Sequence, residues 1–458
     1  MDKISLLQMR KQQLSEAGKE IRKDIFSLID EDSFVELSTF SFSKNEFYGE
    51  EAQGEGVVTG FATISDYPFY IIAQNAAVLS GGVSKANCEK IEKCLNQAEK
   101  TSTPVIWLLS SLGVQLGEGV RVLEGLATLI LKASQLKGSV PQHLIVNGEV
   151  YGQISVLAGI CDFTYFIDKK SALAATSPLV ISAHDGKNVN KFDLGGACGL
   201  KGANLATFTV KDFCDIRKNI IEITEILSVS VIDSDELNVS LPELDNVADI
   251  KSLIKVFDNE TAIELGASYS LEIKCYLARV GGIAVAAAVF ADGNGVELNA
   301  NNVRKLKDFA EFASYYGLPY VTFVNALGIK ADLATNNSLV LKEIAEYVSI
   351  LDCIDAAKIS VIYGKAVGLG YTLFAAKSMG YDYSYAFANA KIALFDSVQG
   401  AEIEYSEDKK ADKAKLAEKY AEENSDPINA ANGGYIDNII QPSFVKQYLI
   451  ASLQMLLK

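Results

Sequence analysis

The sequence predicts an α/β protein in which one domain occurs twice. An amphipathic helix followed by a buried strand recurs in the second half of the chain, and the glycines that follow a later strand recur at nearly the same offset. Hydrophobic residues make up 49% of the 458 residues and charged residues 22%, which is typical of folded proteins. The chain is also roughly three times as long as the ~150-residue prior for one domain. We therefore expect two hydrophobic cores.

The helix and strand of the repeat are predicted from hydrophobic periodicity. Apolar residues at positions i, i+3, i+4 and i+7 indicate one face of a helix, and a short apolar run after Thr-Pro or Leu-Pro indicates a buried strand. The strand covers Val105–Leu109 in the first copy and Tyr320–Val324 in the second. The helix stripe consists of Ile91, Cys94, Leu95 and Ala98 in the first copy, and of Leu306, Phe309, Ala310 and Ala313 in the second, at an offset of 306 minus 91, or 215.

Two further blocks extend the repeat in both directions. Upstream, Asp30–Leu37 corresponds to Asp258–Leu265, and downstream, His143–Gln153 corresponds to Ile359–Leu369. In the downstream block Gly148 corresponds to Gly364 and Gly152 to Gly368. Strands alternate with helices in each copy, which predicts an α/β layer.

The connection between the copies is predicted in Ser234–Asp249, a polar and acidic stretch that contains Pro242. We therefore predict domains over residues 1–235 and 236–458. A second charged run, Ser406–Asp426, mixes both signs at helical spacing and predicts a solvent-exposed helix.

The charge balance excludes some functions. The 58 acidic and 42 basic residues give a net charge of −16, which repels phosphate backbones and argues against sequence-independent nucleic-acid binding. The longest apolar run, Gly281–Ala291, falls well short of the ~20 residues that span a bilayer, so no transmembrane segment is expected. The N-terminal stretch Met1–Asp32 carries Lys and Arg without an apolar signal region, which favours a cytoplasmic protein.

Metal chemistry is not expected. The seven cysteines are scattered without a C-x-x-C pair, so we predict buried, reduced thiols. His143 and His184 are the two histidines of the sequence and are too few for a His-rich metal centre. His143 lies in an apolar strand, which favours a core histidine over a catalytic base.

The candidate site lies where a strand of each copy runs into glycines and then into a helix-forming segment. These strands are Leu144–Val146 and Ser360–Ile362. Backbone N–H groups at such a junction have no intrahelical partner and stabilise an anion. Two such sites suit a reaction in which both partners pass through enolates. The alternative is that the glycines only permit close packing of strand and helix.

Six blocks of the sequence carry a family resemblance: Leu28–Leu37, Gly54–Ile64, Ala73–Gly82, Leu194–Ala197, Tyr385–Leu394 and Asn429–Pro442. They resemble the carboxyltransferase subunit of biotin-dependent acyl-CoA carboxylases, the propionyl-CoA carboxylase beta type. That family has two crotonase-like (ClpP/crotonase) domains of ββα-superhelix architecture in one chain, in agreement with the repeat. The resemblance covers nearly the whole chain, and its last block, Asn429–Pro442, is the most specific.

The resemblance implies transfer of a carboxyl group between carboxybiotin and the α-carbon of an acyl-CoA, in the carboxylase or the decarboxylase direction. In the family one oxyanion hole holds the thioester enolate, and its glycine pair falls on Gly152 and Gln153. The other holds the ureido oxygen of biotin and falls on Leu369 and Gly370, after Gly368. The family also implies substrate contacts at Ser111 and Gly113, and control of acyl length at Thr372.

The family's partners and cofactor follow from the same resemblance. The cofactor is biotin on a separate biotin carboxyl carrier protein or subunit, without a metal, and no histidine base is needed. The two holes of the family face each other across a dimer interface. We therefore expect an acyl-CoA substrate and a homo-oligomer, either a dimer or a dimer-of-trimers hexamer.

Three departures from the family pattern leave alternatives open. Gln115 stands where the family has Arg in S-G-G-A-R-x-x-E-G, and Gln153 and Leu369 each replace one glycine of a hole. One alternative is a structural subunit that has lost the chemistry. Another is a subunit like the malonate decarboxylase beta subunit, which Gly113–Gly119 and Val150–Phe166 also resemble, although the second half of the chain fits it poorly.

Overall fold

The computed structural model describes residues 2–41, 53–200, 202–228, 239–246, 250–260, 262–405 and 412–457. The chain divides into two units, Met1–Thr224 and Glu225–Lys458. The predicted boundary between residues 235 and 236 lies outside the described residues and stays a prediction.

The first unit alternates strands and helices, as its sequence pattern predicts. Its strands are β1 (Val35–Leu37), β2 (Val57–Ile64), β3 (Tyr67–Gln74), β4 (Val105–Ser111), β5 (Gln142–Tyr151), β6 (Phe163–Ile167), β7 (Ala172–Ala174) and β8 (Phe208–Val210). Its helices are α1 (Lys3–Ala17), α2 (Lys19–Phe26), α3 (Lys85–Thr101), α4 (Val120–Gln135), α5 (Leu157–Ile160), α6 (Pro178–Asp185) and α7 (Lys191–Gly195), and α8 (Phe213–Leu227) runs across the division between the units.

The second unit has the same kind of element order. Its strands are β9 (Ala262–Leu265), β10 (Ile273–Val280), β11 (Ile283–Phe290), β12 (Val296–Leu298), β13 (Tyr320–Ile329), β14 (Lys358–Val367), β15 (Tyr383–Phe387), β16 (Lys391–Ala393) and β17 (Asn438–Ile440). Its helices are α9 (Ala300–Tyr315), α10 (Leu333–Asn336), α11 (Val340–Asp352), α12 (Leu369–Phe374), α13 (Ser397–Glu404), α14 (Lys413–Asn424), α15 (Pro427–Asn432) and α16 (Val445–Leu456).

The strand order of the two sheets is the same, and this confirms the predicted duplication. The first sheet runs β1-β2-β3-β4-β5-β6-β8 with β7 beside β5, and the second runs β9-β10-β11-β13-β14-β15-β17 with β16 beside β14. In both, the first three strands pair antiparallel and the later ones parallel. Strand β12 is an addition that sequence did not predict, and a single bridge between Val83 and Val114 lies at the matching place in the first unit.

The helix stripes of the repeat form part of the cores, as predicted. In α3, Ile91 and Leu95 are fully buried, and in α9, Leu306 and Ala310 are fully buried. The stripe of α3 packs with Leu126 of α4 in the hydrophobic cluster of the first unit. Burial of such side chains stabilises the fold by about 1.5 to 3 kcal/mol each.

An aspartate at matching places ties each hairpin turn to a helix. The carboxylate of Asp30 accepts hydrogen bonds from the N–H groups of Ser65 (3.0 Å) and Asp66 (3.0 Å) and from Arg217 in α8 (2.6 Å). In the second unit Asp258 accepts from the N–H groups of Gly281 (2.9 Å) and Gly282 (2.6 Å) and pairs with Lys446 of α16 (2.9 Å). The duplication therefore extends to individual polar contacts.

We expect Asp30→Asn to destabilise the protein by about 3 kcal/mol, because an amide cannot accept from all of these donors. Burial raises the pKa of Asp30, but the hydrogen bonds from Arg217, Asp66, Thr63 and Ser65 outweigh burial and hold the pKa well below its ordinary value. A carboxyl whose pKa is lowered on folding stabilises the protein above its unfolded pKa and loses that contribution as the pH falls.

The measurement is urea unfolding of both proteins between pH 7 and pH 3. The free energy of unfolding of the wild type should approach that of Asp30→Asn as the pH falls below about 4. Asp66→Asn, which changes an exposed carboxylate at a left-handed turn position, is the matched control and should change little. Equal stability of Asp30→Asn and the wild type at pH 7 would contradict the prediction.

A buried lysine also recurs in both units. Lys90 in α3 donates to the carbonyls of Gly54 (3.0 Å) and Val57 (2.6 Å). Lys305 follows Lys90 by 215 residues, the same offset as the helix stripes. It donates to the carbonyls of Tyr269 (2.7 Å) and Ile273 (2.7 Å). Burial lowers the pKa of Lys90 to about 8. Each lysine fastens its helix to the loop that leads into the second strand of the sheet.

Three sequence expectations concern the surface. Four cysteines are buried as expected: Cys88, Cys94, Cys161 and Cys275. The expectation is wrong for Cys198, Cys214 and Cys353, which are exposed, since helix and loop positions with apolar neighbours in sequence still face solvent.

The described part of the charged run 406–426 forms α14, whose side chains are mostly exposed. Residues 406–411 lie outside the described residues. None of the described helices is long and apolar enough to cross a membrane.

Candidate functional site

The first junction lies where β5 ends at Gly152. This glycine has φ 82, a left-handed value that residues with a side chain rarely adopt. Its N–H donates to the carbonyl of Ala174 (3.3 Å), and its carbonyl accepts from the N–H (3.0 Å) and the hydroxyl (2.7 Å) of Ser155. These bonds turn the chain from the strand into the 3₁₀ turn Gln153–Val156 and then into α5.

Two backbone donors at this junction remain free. Among the described residues, the N–H groups of Gln153 and Ile154 have no protein acceptor. The family resemblance implies donors at Gly152 and Gln153, and that assignment stays a prediction. In the structure the N–H of Gly152 is bonded to Ala174, so the free N–H groups are those of Gln153 and Ile154. The Gln153 side chain is exposed, so replacing the family's glycine has not put a buried side chain beside these donors.

The second junction repeats this arrangement at Gly368, where β14 ends. Gly368 has φ 51 and donates its N–H to the carbonyl of Ala393 (3.0 Å), as Gly152 does to Ala174. Its carbonyl accepts from the N–H groups of Tyr371 (3.2 Å) and Thr372 (3.1 Å). Within the described part of the chain, the N–H groups of Leu369 and Gly370 have no acceptor. Leu369 is half-buried, whereas Gly370 is buried.

A glycine near the end of the neighbouring strand opens each junction: Gly113 follows β4, and Gly328 lies in β13. A Cβ added at Gly113 would have no atom within 4 Å, and one added at Gly152 would meet only the Cα of Gly113, at 3.7 Å. In the second unit, a Cβ on Gly328 would lie 3.4 Å from the carbonyl oxygen of Val367 and 3.9 Å from the nitrogen of Leu369. Each pair of free donors therefore has a neighbouring backbone without a side chain, which leaves room for a ligand atom.

The close-packing alternative holds for a different pair of glycines. A Cβ at Gly148 would lie 2.7 Å from Oγ of Ser110, and one at Gly364 would lie 2.5 Å from Oδ1 of Asn325. These glycines therefore make room for a side chain of the adjacent strand. At Gly152 an added Cβ would make an ordinary van der Waals contact. Glycine is required there because φ is positive.

The predicted substrate residues take mainly supporting positions. Ser111 is buried, with 1% of its surface exposed, and its hydroxyl bonds to the carbonyl (3.2 Å) and N–H (3.3 Å) of Gly113. Thr372 is exposed on α12, and its hydroxyl donates to the carbonyl of Gly368 (3.2 Å). Both hydroxyls hold a junction glycine in place, and direct contact with substrate stays a prediction.

Gln115, which replaces the family's Arg, is turned inward. Its Nε2 donates weakly to the carbonyl of Leu79 (3.4 Å) and lies 2.1 Å from where a Cβ of Gly82 would stand. Glu118 from the same motif is buried and accepts from the N–H of Lys85 at the start of α3 (2.6 Å). This motif therefore builds the loop beside Gly113 and presents no positive charge at position 115.

The two histidines lie on different elements, His143 in β5 and His184 in α6. His143 is buried against Phe163 and near Tyr165, and burial lowers its pKa to about 3, so it is neutral at physiological pH. His184 is exposed and lies 2.7 Å from Asp185. Among the described residues there is no group of three or more His, Cys, Asp or Glu side chains that could hold a metal.

Similarity to known proteins agrees with this geometry. Residues 12–458 match the carboxyl transferase domain family. The methylmalonyl-CoA decarboxylase subunit alpha of Veillonella parvula is 28% identical over 458 residues, which cover 95% of this chain and 89% of that protein. The mitochondrial propionyl-CoA carboxylase beta chain of Homo sapiens is 28% identical, with 95% of this chain and 85% of that protein covered. The predicted family resemblance is confirmed.

The fold is also found in solved structures. Transcarboxylase 12S, solved as a hexamer assembly with methylmalonyl-coenzyme A and methylmalonic acid bound, superposes with a TM-score of 0.90. The two sequences are 23% identical, and the match covers 99% of this chain and 95% of the transcarboxylase chain. This likeness confirms the predicted α/β fold over nearly the whole chain.

Proposed function

This chain belongs to the carboxyl transferase domain family, and we propose that it moves a carboxyl group between biotin on a separate carrier protein and the α-carbon of an acyl-CoA. The observation that supports the proposal most is the pair of free backbone N–H groups that follows Gly152 and, at the matching place, Gly368. Each reaction partner needs an oxygen stabilised as negative charge develops, and each unit offers donors for one of them.

In the first unit the ligand is the thioester oxygen of the acyl-CoA. The N–H groups of Gln153 and Ile154 donate to this oxygen, and the bond from Gly152 to Ala174 fixes their direction. Gly113 leaves the approach open, and Ser111 holds Gly113 in position. The donors are backbone groups set by the fold, so they need no reorganisation as charge develops.

In the second unit the ligand is the ureido oxygen of biotin. The N–H groups of Leu369 and Gly370 are suited to it because both are free and Gly328 opens the space beside Leu369. Biotin brings the carboxyl group and, in this proposal, the carrier protein brings biotin. The chain's own residues bind and orient the two oxygens, without a metal and without a histidine base.

We further propose that the chain works as a homo-oligomer, a dimer or a dimer-of-trimers hexamer. Large apolar side chains are exposed in both units, among them Leu116 (88%), Leu179 (80%), Leu333 (77%) and Leu394 (71%). Association sites are contiguous exposed apolar patches, and these side chains are the candidates for them. Light scattering after size exclusion at micromolar concentration should give an assembly, and a lone 49.5 kDa species would contradict the proposal.

Calorimetric titration tests the acyl-CoA half of the proposal. We expect heat of binding with acetyl-, propionyl- or glutaconyl-CoA and weak affinity, since Gln115 offers no positive charge to the CoA phosphates. Restoring the charge with Gln115→Arg should tighten binding, and Gln97→Arg, at an exposed position of α3, is the matched control. Absence of heat with all three ligands at millimolar concentration would remove the substrate assignment.

A further inference from the structure

A pocket beside the second junction is lined by two lysines. It lies between the ends of β14 and β16, the start of α13 and the end of α14, and its lining includes Lys365, Val367, Lys391, Ala393, Asp396 and Tyr420. Val367 directly precedes Gly368, whose N–H donates to the carbonyl of Ala393. The pocket is therefore adjacent to the candidate biotin site, on elements that position it.

The two lysines are direct neighbours on adjacent strands. In the parallel pairing of β14 with β16, Lys365 stands opposite Lys391, and like charges directly opposite one another destabilise a sheet. Asp396 lies 3.4 Å from Nζ of Lys365, and Lys391 has no ion pair within the described part of the chain. Two positive charges thus share one negative charge at this pocket.

The corresponding place in the first unit is balanced. There Glu149 stands where the second unit has Lys365, and Ala172 is its partner on the adjacent strand. Lys191 pairs with Glu149 at 2.7 Å, so one negative charge meets one positive charge. The excess positive charge is therefore specific to the second unit and is not a requirement of the shared fold.

We propose that this pocket binds a small oxyanion, a phosphate or a carboxylate group, between the ammonium groups of Lys365 and Lys391. An oxyanion offers several acceptors at once and neutralises the facing charges. Asp396 makes no capping bond to α13 and pairs with Lys365, which leaves the charge of Lys391 for the oxyanion to neutralise. The proposal does not depend on carboxyl transfer by the chain.

The test is thermal unfolding and calorimetry of the full chain with inorganic phosphate, with bicarbonate and with coenzyme A, at constant ionic strength. Phosphate or bicarbonate should bind saturably and raise the unfolding midpoint. Lys391→Gln should weaken this binding at least tenfold, and Lys391→Arg should retain it. Lys415→Gln, which removes an exposed charge from α14 outside the pocket lining, should leave binding within about twofold.

The ligand series separates the sources of the anion. If bicarbonate binds more tightly than phosphate, the pocket is a carboxylate site. If coenzyme A binds more tightly than both and Lys391→Gln weakens that binding, the bound oxyanion is a phosphate group of coenzyme A. The proposal is overturned if none of the three binds saturably, or if Lys391→Gln and Lys415→Gln bind equally well. Because biotin is absent from the assay, failure here leaves the carboxyl-transfer proposal standing.

Discussion

Replacing Leu369 with proline should lower the rate of carboxyl transfer 10² to 10³-fold, which corresponds to about 3 to 4 kcal/mol for loss of one oxyanion donor. Proline has no N–H, and its ring is accommodated at the first position of a helix, which Leu369 occupies in α12. The substitution therefore removes one of the two proposed donors to biotin while leaving the fold in place.

Leu369→Ala is the matched control, because it changes the same side chain and keeps the N–H. It should transfer carboxyl groups within a few-fold of the wild type, and Leu369→Gly, which restores the family's glycine, should equal or exceed it. At the first junction, Gln153→Pro should likewise lower the transfer rate, and Gln153→Ala should keep it. If the proline and alanine variants at position 369 had the same rate, the N–H group would have no catalytic role.

Gly370→Val should abolish transfer and also destabilise the second unit. A Cβ at Gly370 would lie 2.8 Å from both the Cβ and the carbonyl oxygen of Ala326 on β13, closer than atoms pack in folded proteins. The clash forces α12 away from the sheet and displaces the N–H groups of Leu369 and Gly370 together. The first clash is therefore inside the protein, with Ala326, and not with the ligand.

Activity, binding and stability of Gly370→Val should be measured together. Gly293→Val is the matched control, because a Cβ added there meets no atom within 4 Å, and it should keep both activity and unfolding midpoint. We expect Gly370→Val to lose transfer even at temperatures where its circular dichroism is that of the wild type. Full activity in a folded Gly370→Val protein would exclude the proposed site at Leu369 and Gly370.

Much of the fold could be predicted from sequence because hydrophobic periodicity is local. The stripes of α3 and α9 and the strands that follow them are visible in short windows, and their fixed offset indicates one topology used twice. The junction glycines Gly152 and Gly368 could be found for the same reason. A strand that ends in glycine before a helix is a signal contained in a few neighbouring residues.

Other features depend on contacts between distant residues and were not predicted. The free donor pair of the first junction falls on Gln153 and Ile154 because Ala174, on a later strand, takes the N–H of Gly152. Likewise, burial of Lys90 without a carboxylate partner depends on loop carbonyls from a distant part of the chain. The repeated lysine at position 305 was a signal that could have been read, since a charge kept at matching places in two core helices indicates a structural role.

The central claim is that two glycine junctions stabilise the oxygens of an acyl-CoA and of biotin. Its most direct test is carboxyl exchange with the wild-type chain, methylmalonyl-CoA labelled in its free carboxyl group, and biotin or a biotinylated carrier protein. We predict saturable transfer of label to biotin that depends on both substrates. No labelled biotin with methylmalonyl-, malonyl- or glutaconyl-CoA would contradict the proposed activity and would favour a structural subunit that has kept the fold alone.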